Sequence, residues 1–138
     1  MRGAFIVTQE VLPDMKAAHW GRIVNISSSS AQTGAIHMAP YSSSKGAIVT
    51  LTRTLAQELG PLGITVNNIP PGTIMGTLMS EANRERFQIP TDVLAKSLPV
   101  RRLGEPDDIA HACAWLCSEA SSYVTGQTIG VNGGRVVS

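Results

Sequence analysis

Apolar residues along this chain switch from helical to extended spacing and back, three times over, and that alternation limits the fold more than any other feature. From about residue 3 to 18, Ala4, Val7, Val11, Met15 and Ala18 form a helical stripe. Pro13 lies inside it and is expected to bend that helix or shift its start. Gly21-Arg22 leads into Ile23, Val24 and Ile26, a short β-branched strand. A second stripe follows at Ile48, Leu51, Thr52, Leu55 and Leu59, closed by Gly60-Pro61, a residue free to turn left-handed and then one that cannot continue the helix. Ile64, Val66 and Ile69 form the next strand. After an irregular stretch from Pro70 to Pro99 with room for two short helices, a third helix opens at Glu105-Pro106 with Asp107 and Asp108 near its positive end. A last strand is expected over Thr128 to Val131, before Gly133-Gly134. Strands that alternate with helices pair in parallel through right-handed crossovers, so the fold class is α/β with a doubly wound parallel sheet.

The chain has 138 residues, which suits one domain over 1–138, and 43% of them are hydrophobic, enough for a core. A formal net charge of +1 gives no electrostatic reason to expect nucleic acid or a membrane surface as partner. The apolar stretch from Ala4 to Val7 is too short for a signal-peptide core or a membrane span, so the expected location is cytoplasmic. Cys113 and Cys117 share a helix face at i, i+4 spacing. They read as two small buried apolar side chains, with a disulfide or half a metal site as the sharper alternatives; no metal is expected.

The chemistry-bearing residues cluster where parallel strands end, which is where such sheets bind ligands. Tyr41 and Lys45 stand at i and i+4 near the start of the second helix, so phenol and ammonium stack on one face. A nearby cation favours the phenolate and makes tyrosine usable as an acid/base near neutrality. An ordinary exposed pair would have the same spacing. Thirteen residues before Tyr41, Ser28 follows the first strand, where its hydroxyl could donate to a carbonyl oxygen as charge develops. The bland alternative is a serine capping local backbone, the reading given to Ser27, Ser29 and Ser30. Pro70-Pro71-Gly72 stiffens the exit of the next strand and then permits close approach, which suits a flat ring; a plain turn is the other account.

Five blocks carry a resemblance. Gly21-Arg22-Ile23-Val24-Asn25-Ile26-Ser27-Ser28, Tyr41-Ser42-Ser43-Ser44-Lys45 and Asn67-Asn68-Ile69-Pro70-Pro71-Gly72 are followed by Arg102-Leu103-Gly104-Glu105-Pro106 with Asp108-Ile109-Ala110, and by Thr125-Gly126-Gln127 through Val131-Asn132-Gly133-Gly134. In order and spacing they resemble the short-chain dehydrogenase/reductase family over essentially the whole chain, in particular its 3-oxoacyl-carrier-protein reductase-like members. The resemblance implies the C-terminal portion of a doubly wound Rossmann fold whose first βαβ half is missing. It implies hydride transfer between NAD or NADP and a small-molecule alcohol or carbonyl substrate. Tyr41 would be the general acid/base and Ser28 would polarise the carbonyl. Lys45 would lower the tyrosine pKa and bind the nicotinamide ribose, while Pro71, Gly72 and the backbone at Ile74 would line the nicotinamide. The family also implies a homodimer or homotetramer when full length.

Two departures stand out. The family's threonine four residues past the Pro-Gly glycine is Gly76 here, with Thr77 one further on, and Pro70 replaces a position that is commonly alanine. No G-x-G-x-x-G or P-loop pattern occurs. Met1-Arg2-Gly3 aligns just past the family's catalytic asparagine, so a fragment or a start at an internal methionine is expected, with an uncovered strand edge and poor solubility in isolation. The competing non-catalytic reading is a truncated subunit that only oligomerises. A hydrolase with a Ser28–Ser30 nucleophile and His37 as base lacks the G-x-S-x-G elbow, leaving His37 near the substrate loop or merely exposed. Leu78, Met79, Phe87, Ile89 and Leu94 are read as an apolar lid or as core.

Overall fold

Two parallel strands, β1 (Gly21–Ile26) and β2 (Ile64–Ile69), form the centre of the protein, paired in register from Gly21 opposite Ile64 to Ile26 opposite Ile69. The structure is a computed structural model that describes residues 1–137, apart from the side chains at 83, 84, 86 and 87. Phe87 of the expected lid therefore lies outside the described side chains. Helices α1 (Arg2–Ala18), α2 (Ser30–Thr33), α3 (Ala39–Leu59), α4 (Leu78–Phe87), α5 (Thr91–Lys96) and α6 (Pro106–Cys117) complete the order. The expected alternation is present through the first two strands, and so are the third long helix and the two short helices after Pro70. Among the described residues no helix is long and apolar enough to cross a membrane.

Every residue of β2 is buried, as expected for a strand covered on both faces. Ile64 and Val66 pack with Leu55, Ala56 and Leu59 of α3, and Leu12 and Met15 of α1 close over the same cluster. Fully burying one such aliphatic side chain stabilises by roughly 1.5–3 kcal/mol. Helix α6 packs against both strands, with Leu116 wholly buried. Asn25 and Thr52 join strand and helix by one buried hydrogen bond, Asn25 Nδ2 donating to Thr52 Oγ1 at 2.9 Å. Pro13 lies within the unbroken span of α1, and the expected shift of the helix start does not occur.

The expected third strand at Thr128–Val131 is not a continuous ladder. The segment runs parallel to β2 and to the chain just beyond it but touches them at separate bridges, Asn68 with Thr128 and Pro71 with Val131. Side chains have taken over part of the pairing. Asn67 Nδ2 donates to the Val124 carbonyl at 2.8 Å and its Oδ1 accepts from the Gln127 N–H at 3.1 Å. Thr125 Oγ1 accepts from the Val66 N–H at 3.0 Å. These bonds satisfy backbone groups that a regular strand would have paired directly.

Two further expectations are corrected. Gly60 does not turn left-handed: it remains right-handed, opening a 3-10 turn over Gly60–Leu62, and Gly63 takes the positive φ of 76°. A Cβ on Gly63 would lie 2.3 Å from the His19 carbonyl oxygen, so only glycine fits. The cysteines are not a buried pair, since Cys113 is half-buried and Cys117 exposed, and both thiols are free. Partial burial pushes the Cys113 thiol up, with nearby Cys117 adding to it.

Candidate active site

Both strands end at one cavity of about 690 Å³. The loop after β1 stays attached to the exit of β2, because the Ser27 N–H donates to the Ile69 carbonyl and the Ser29 N–H to that of Pro71. Strand exits side by side form a floor from which side chains project into one space. All six residues singled out in the sequence line it: Ser28, Tyr41, Lys45, Pro71, Gly72 and Ile74.

Helix α3 opens at Ala39-Pro40, with proline early in its first turn, and so presents Tyr41 and Lys45 one turn apart. Both are half-buried, and Lys45 Nζ lies 5.8 Å from the centre of the Tyr41 ring. The ammonium donates to the Ile26 carbonyl oxygen at 3.0 Å. Ser28 Oγ accepts from the Ser30 N–H at 3.2 Å and from Ser30 Oγ at 2.9 Å. A hydroxyl has two acceptor lone pairs and one proton, so the O–H of Ser28 is left over to donate. Ser28 thus caps local backbone, the bland reading of its role. Ser27, treated in the sequence as a capping serine, instead has a buried hydroxyl with no partner on the cavity wall.

Gly72 lines the cavity, but its missing side chain answers to another neighbour. A Cβ there would lie 2.9 Å from the Asn132 backbone, so the close approach is that of the C-terminal segment. At Ile74, flanking bonds run from the Gly104 N–H to the Thr73 carbonyl and from the Met75 N–H to the Gly104 carbonyl. They leave Ile74's own N–H without a backbone partner among the described residues. The apolar wall includes Met79, Ile89, Leu94 and Ile109. Leu78 is instead 87% exposed and not part of the wall. Thr77 lines the cavity while its Oγ1 accepts from the Ser80 N–H at 3.1 Å, fixing the start of α4. His37 is exposed and does not line the cavity, although its neighbour Met38 does.

Sequence reasoning passed over Arg135, which reaches the cavity from the C-terminal turn and donates to Thr73 Oγ1 at 3.3 Å. Nothing local in the sequence marks it. The Arg102 and Asp108 side chains form a two-pronged pair behind this site, with both bonds at 2.7 Å. Hydrogen bonding from Arg102, and then from the Glu105 N–H, holds the Asp108 carboxyl far below the usual carboxylate range. No group of three or more His, Cys, Asp or Glu side chains suited to a metal occurs among the described residues.

Known proteins are similar to this chain in sequence and fold. A family model described as Enoyl-(Acyl carrier protein) reductase matches residues 1–135. The chain is 39% identical over 137 residues to the 3-oxoacyl-(acyl-carrier-protein) reductase FabG of Aquifex aeolicus, covering 97% of this chain and 52% of that protein. It is 44% identical over 130 residues to the acetoacetyl-CoA reductase of Cupriavidus necator, covering 94% and 51%. Among solved structures, an F189W actinorhodin polyketide ketoreductase with NADPH superposes with a TM-score of 0.90 at 35% identity, over 97% of this chain and 55% of that one. The chain spans about half the length of the curated relatives it matches. With four of the five sequence blocks converging on one cavity at the ends of parallel strands, and a family model matched along nearly its whole length, this chain belongs to the short-chain dehydrogenase/reductase family.

Proposed function

We propose that the chain is the substrate-handling part of an NAD(P)H-dependent oxidoreductase that interconverts a carbonyl and an alcohol, with 3-oxoacyl thioesters as the first substrate class to try. The observation that carries this is the convergence of Ser28, Tyr41 and Lys45 with Pro71, Gly72 and Ile74 on one cavity. The thioester class rests on relatives named as reductases of 3-oxoacyl-(acyl-carrier-protein) and acetoacetyl-CoA. NADPH is the form to try first, because it is the one bound to the polyketide ketoreductase. A cytoplasmic setting belongs to the same reading.

The residues present fit a nicotinamide. Pro71 and Ile74 offer apolar surface for a flat ring, the free N–H of Ile74 suits a carboxamide oxygen, and the unpartnered Ser27 hydroxyl lacks an acceptor or donor that a bound group could supply. When bound, the reduced nicotinamide supplies the hydride. The chain's own residues orient the carbonyl and manage the proton. Ser28 donates its remaining O–H to the carbonyl oxygen, and Tyr41 gives its phenolic proton to that same oxygen as it becomes an alcohol. Lys45 spends one N–H on Ile26 and keeps two for ribose hydroxyls, while its charge stands beside the tyrosine.

The test is reduction of acetoacetyl-CoA followed by the loss of reduced-nicotinamide absorbance, with Tyr41→Phe as comparison. Turnover that falls by about 10²–10⁴-fold in a folded variant supports the reading. Turnover undiminished in Tyr41→Phe would sink it.

A second reading, a subunit that associates without catalysis, is favoured by the apolar side chains that α1 leaves uncovered, among them Phe5, Ile6 and Val7. Light scattering distinguishes them: an oligomer that binds no NADPH favours association alone, and a homodimer or homotetramer that binds it favours the enzyme.

A further inference from the structure

We infer that Arg135 is a specificity residue that selects substrates bearing a carboxylate or phosphate near the reacting carbonyl; this rests on the carbonyl-reductase reading above. Lys45 and Arg135 are the only charged side chains lining the cavity among the described residues, and no acidic side chain offsets them. Lys45 spends one N–H on the Ile26 carbonyl and, in the reading above, the other two on ribose hydroxyls. Arg135 has no carboxylate partner among the described residues, in contrast to Arg22 and Arg102, which pair with Glu119 and Asp108. Among the described residues its side chain makes one bond, the 3.3 Å contact with the Thr73 hydroxyl, which uses little of the guanidinium fork.

The turn that carries it is built rather than loose. The buried Asn132 side chain accepts from the Gly134 N–H at 3.0 Å and donates to the Val136 carbonyl at 3.3 Å, spanning Arg135 from both sides. The Arg135 N–H also donates to the Asn132 carbonyl. Gly133 and Gly134 take positive φ, and a Cβ on Gly134 would meet the Pro99 ring at 2.8 Å. The backbone that carries the arginine is fixed in this way, and the planar fork at the end of its exposed side chain fits carboxylate or phosphate oxygens two at a time. The anion is assigned to the substrate, because Met79, Ile89, Leu94 and Ile109 of the same wall suit a carbon chain.

Kinetics with 4-oxopentanoate and acetoacetate against their methyl esters test this at two chain lengths. In Arg135→Met the ratio of acid KM to ester KM should rise on the order of tenfold, the loss of one charge-assisted contact. Arg135→Lys should recover part of it, keeping the charge but not the fork. A ratio that does not move overturns the assignment. So does a loss that falls on the KM of NADPH instead, which would give the arginine to a cofactor phosphate. If the unaltered protein reduces neither these compounds nor acetoacetyl-CoA, the reductase reading fails by itself. Calorimetric titration with 4-oxopentanoate then decides this one: binding weakened about tenfold in Arg135→Met sustains it, and equal binding overturns it.

Discussion

The Lys45 ammonium donates to the carbonyl oxygen of Ile26 at 3.0 Å, which ties the helix carrying Tyr41 to the last residue of β1. One interaction therefore fixes both the height of the tyrosine over the strand exit and the direction of the remaining ammonium protons. Lys45→Met removes that tether together with the charge. It should raise the KM for NADPH by about ten- to a hundredfold, the worth of a charge-assisted hydrogen bond, and lower kcat as well. Steady-state kinetics over a range of NADPH concentrations check this, and an unchanged cofactor KM would count against ribose binding by Lys45.

Asn25 and Thr52 test the packing beneath the site. Thr52 Oγ1 accepts from Asn25 and donates to the Ile48 carbonyl at 2.9 Å, at a position with no exposure at all. Thr52→Val keeps the shape and leaves the Asn25 amide without its acceptor. It should destabilise by ~1–3 kcal/mol in urea denaturation, whereas Thr52→Ser, which retains the hydroxyl, should lose less.

How much of this was readable in advance follows from the range of each signal. Tyr41 and Lys45 were legible because helical spacing alone stacks them, and Ser28 because it follows a β-branched run. The third strand was misread because its pairing is partly done by Asn67 and Thr125 side chains, contacts across about sixty residues that no local period encodes. Gly72 was matched to a flat ring, but what crowds it is Asn132, which lies at the same distance along the chain. In Gly60-Pro61-Leu62-Gly63 two glycines compete for the left-handed position. The His19 carbonyl, contributed by another element, decides for Gly63. Arg135 carries no local mark; only the fold brings it to Thr73.

Asn67 provides a direct test of the side-chain pairing. Its amide holds the Val124 carbonyl and the Gln127 N–H at once, and the residue is 1% exposed. Asn67→Leu fills the volume but leaves two backbone groups without partners, at a cost of at least ~2 kcal/mol. Hydrogen exchange should show lost protection at Gln127 and Ile129, ahead of any loss in α3. Uniform loss across the chain would mean that this segment is not held separately.

Asp108 sets an expectation for acid. Its carboxyl is held down chiefly by the Arg102 side-chain hydrogen bonds and next by the Glu105 N–H, from an ordinary value of 3.8. Because the folded pKa lies below the unfolded one, the resulting stability is fully present above about pH 4 and is lost as pH falls from there toward the folded value. Asp108→Asn keeps an oxygen for the Glu105 N–H and removes the ion pair with Arg102. The variant should therefore be less stable than the unaltered chain at neutral pH, with the gap narrowing below about pH 4. Urea midpoints measured across that range check it. A gap that stays constant into acid would mean that the Asp108 charge contributes nothing and that the Glu105 N–H bond alone caps α6.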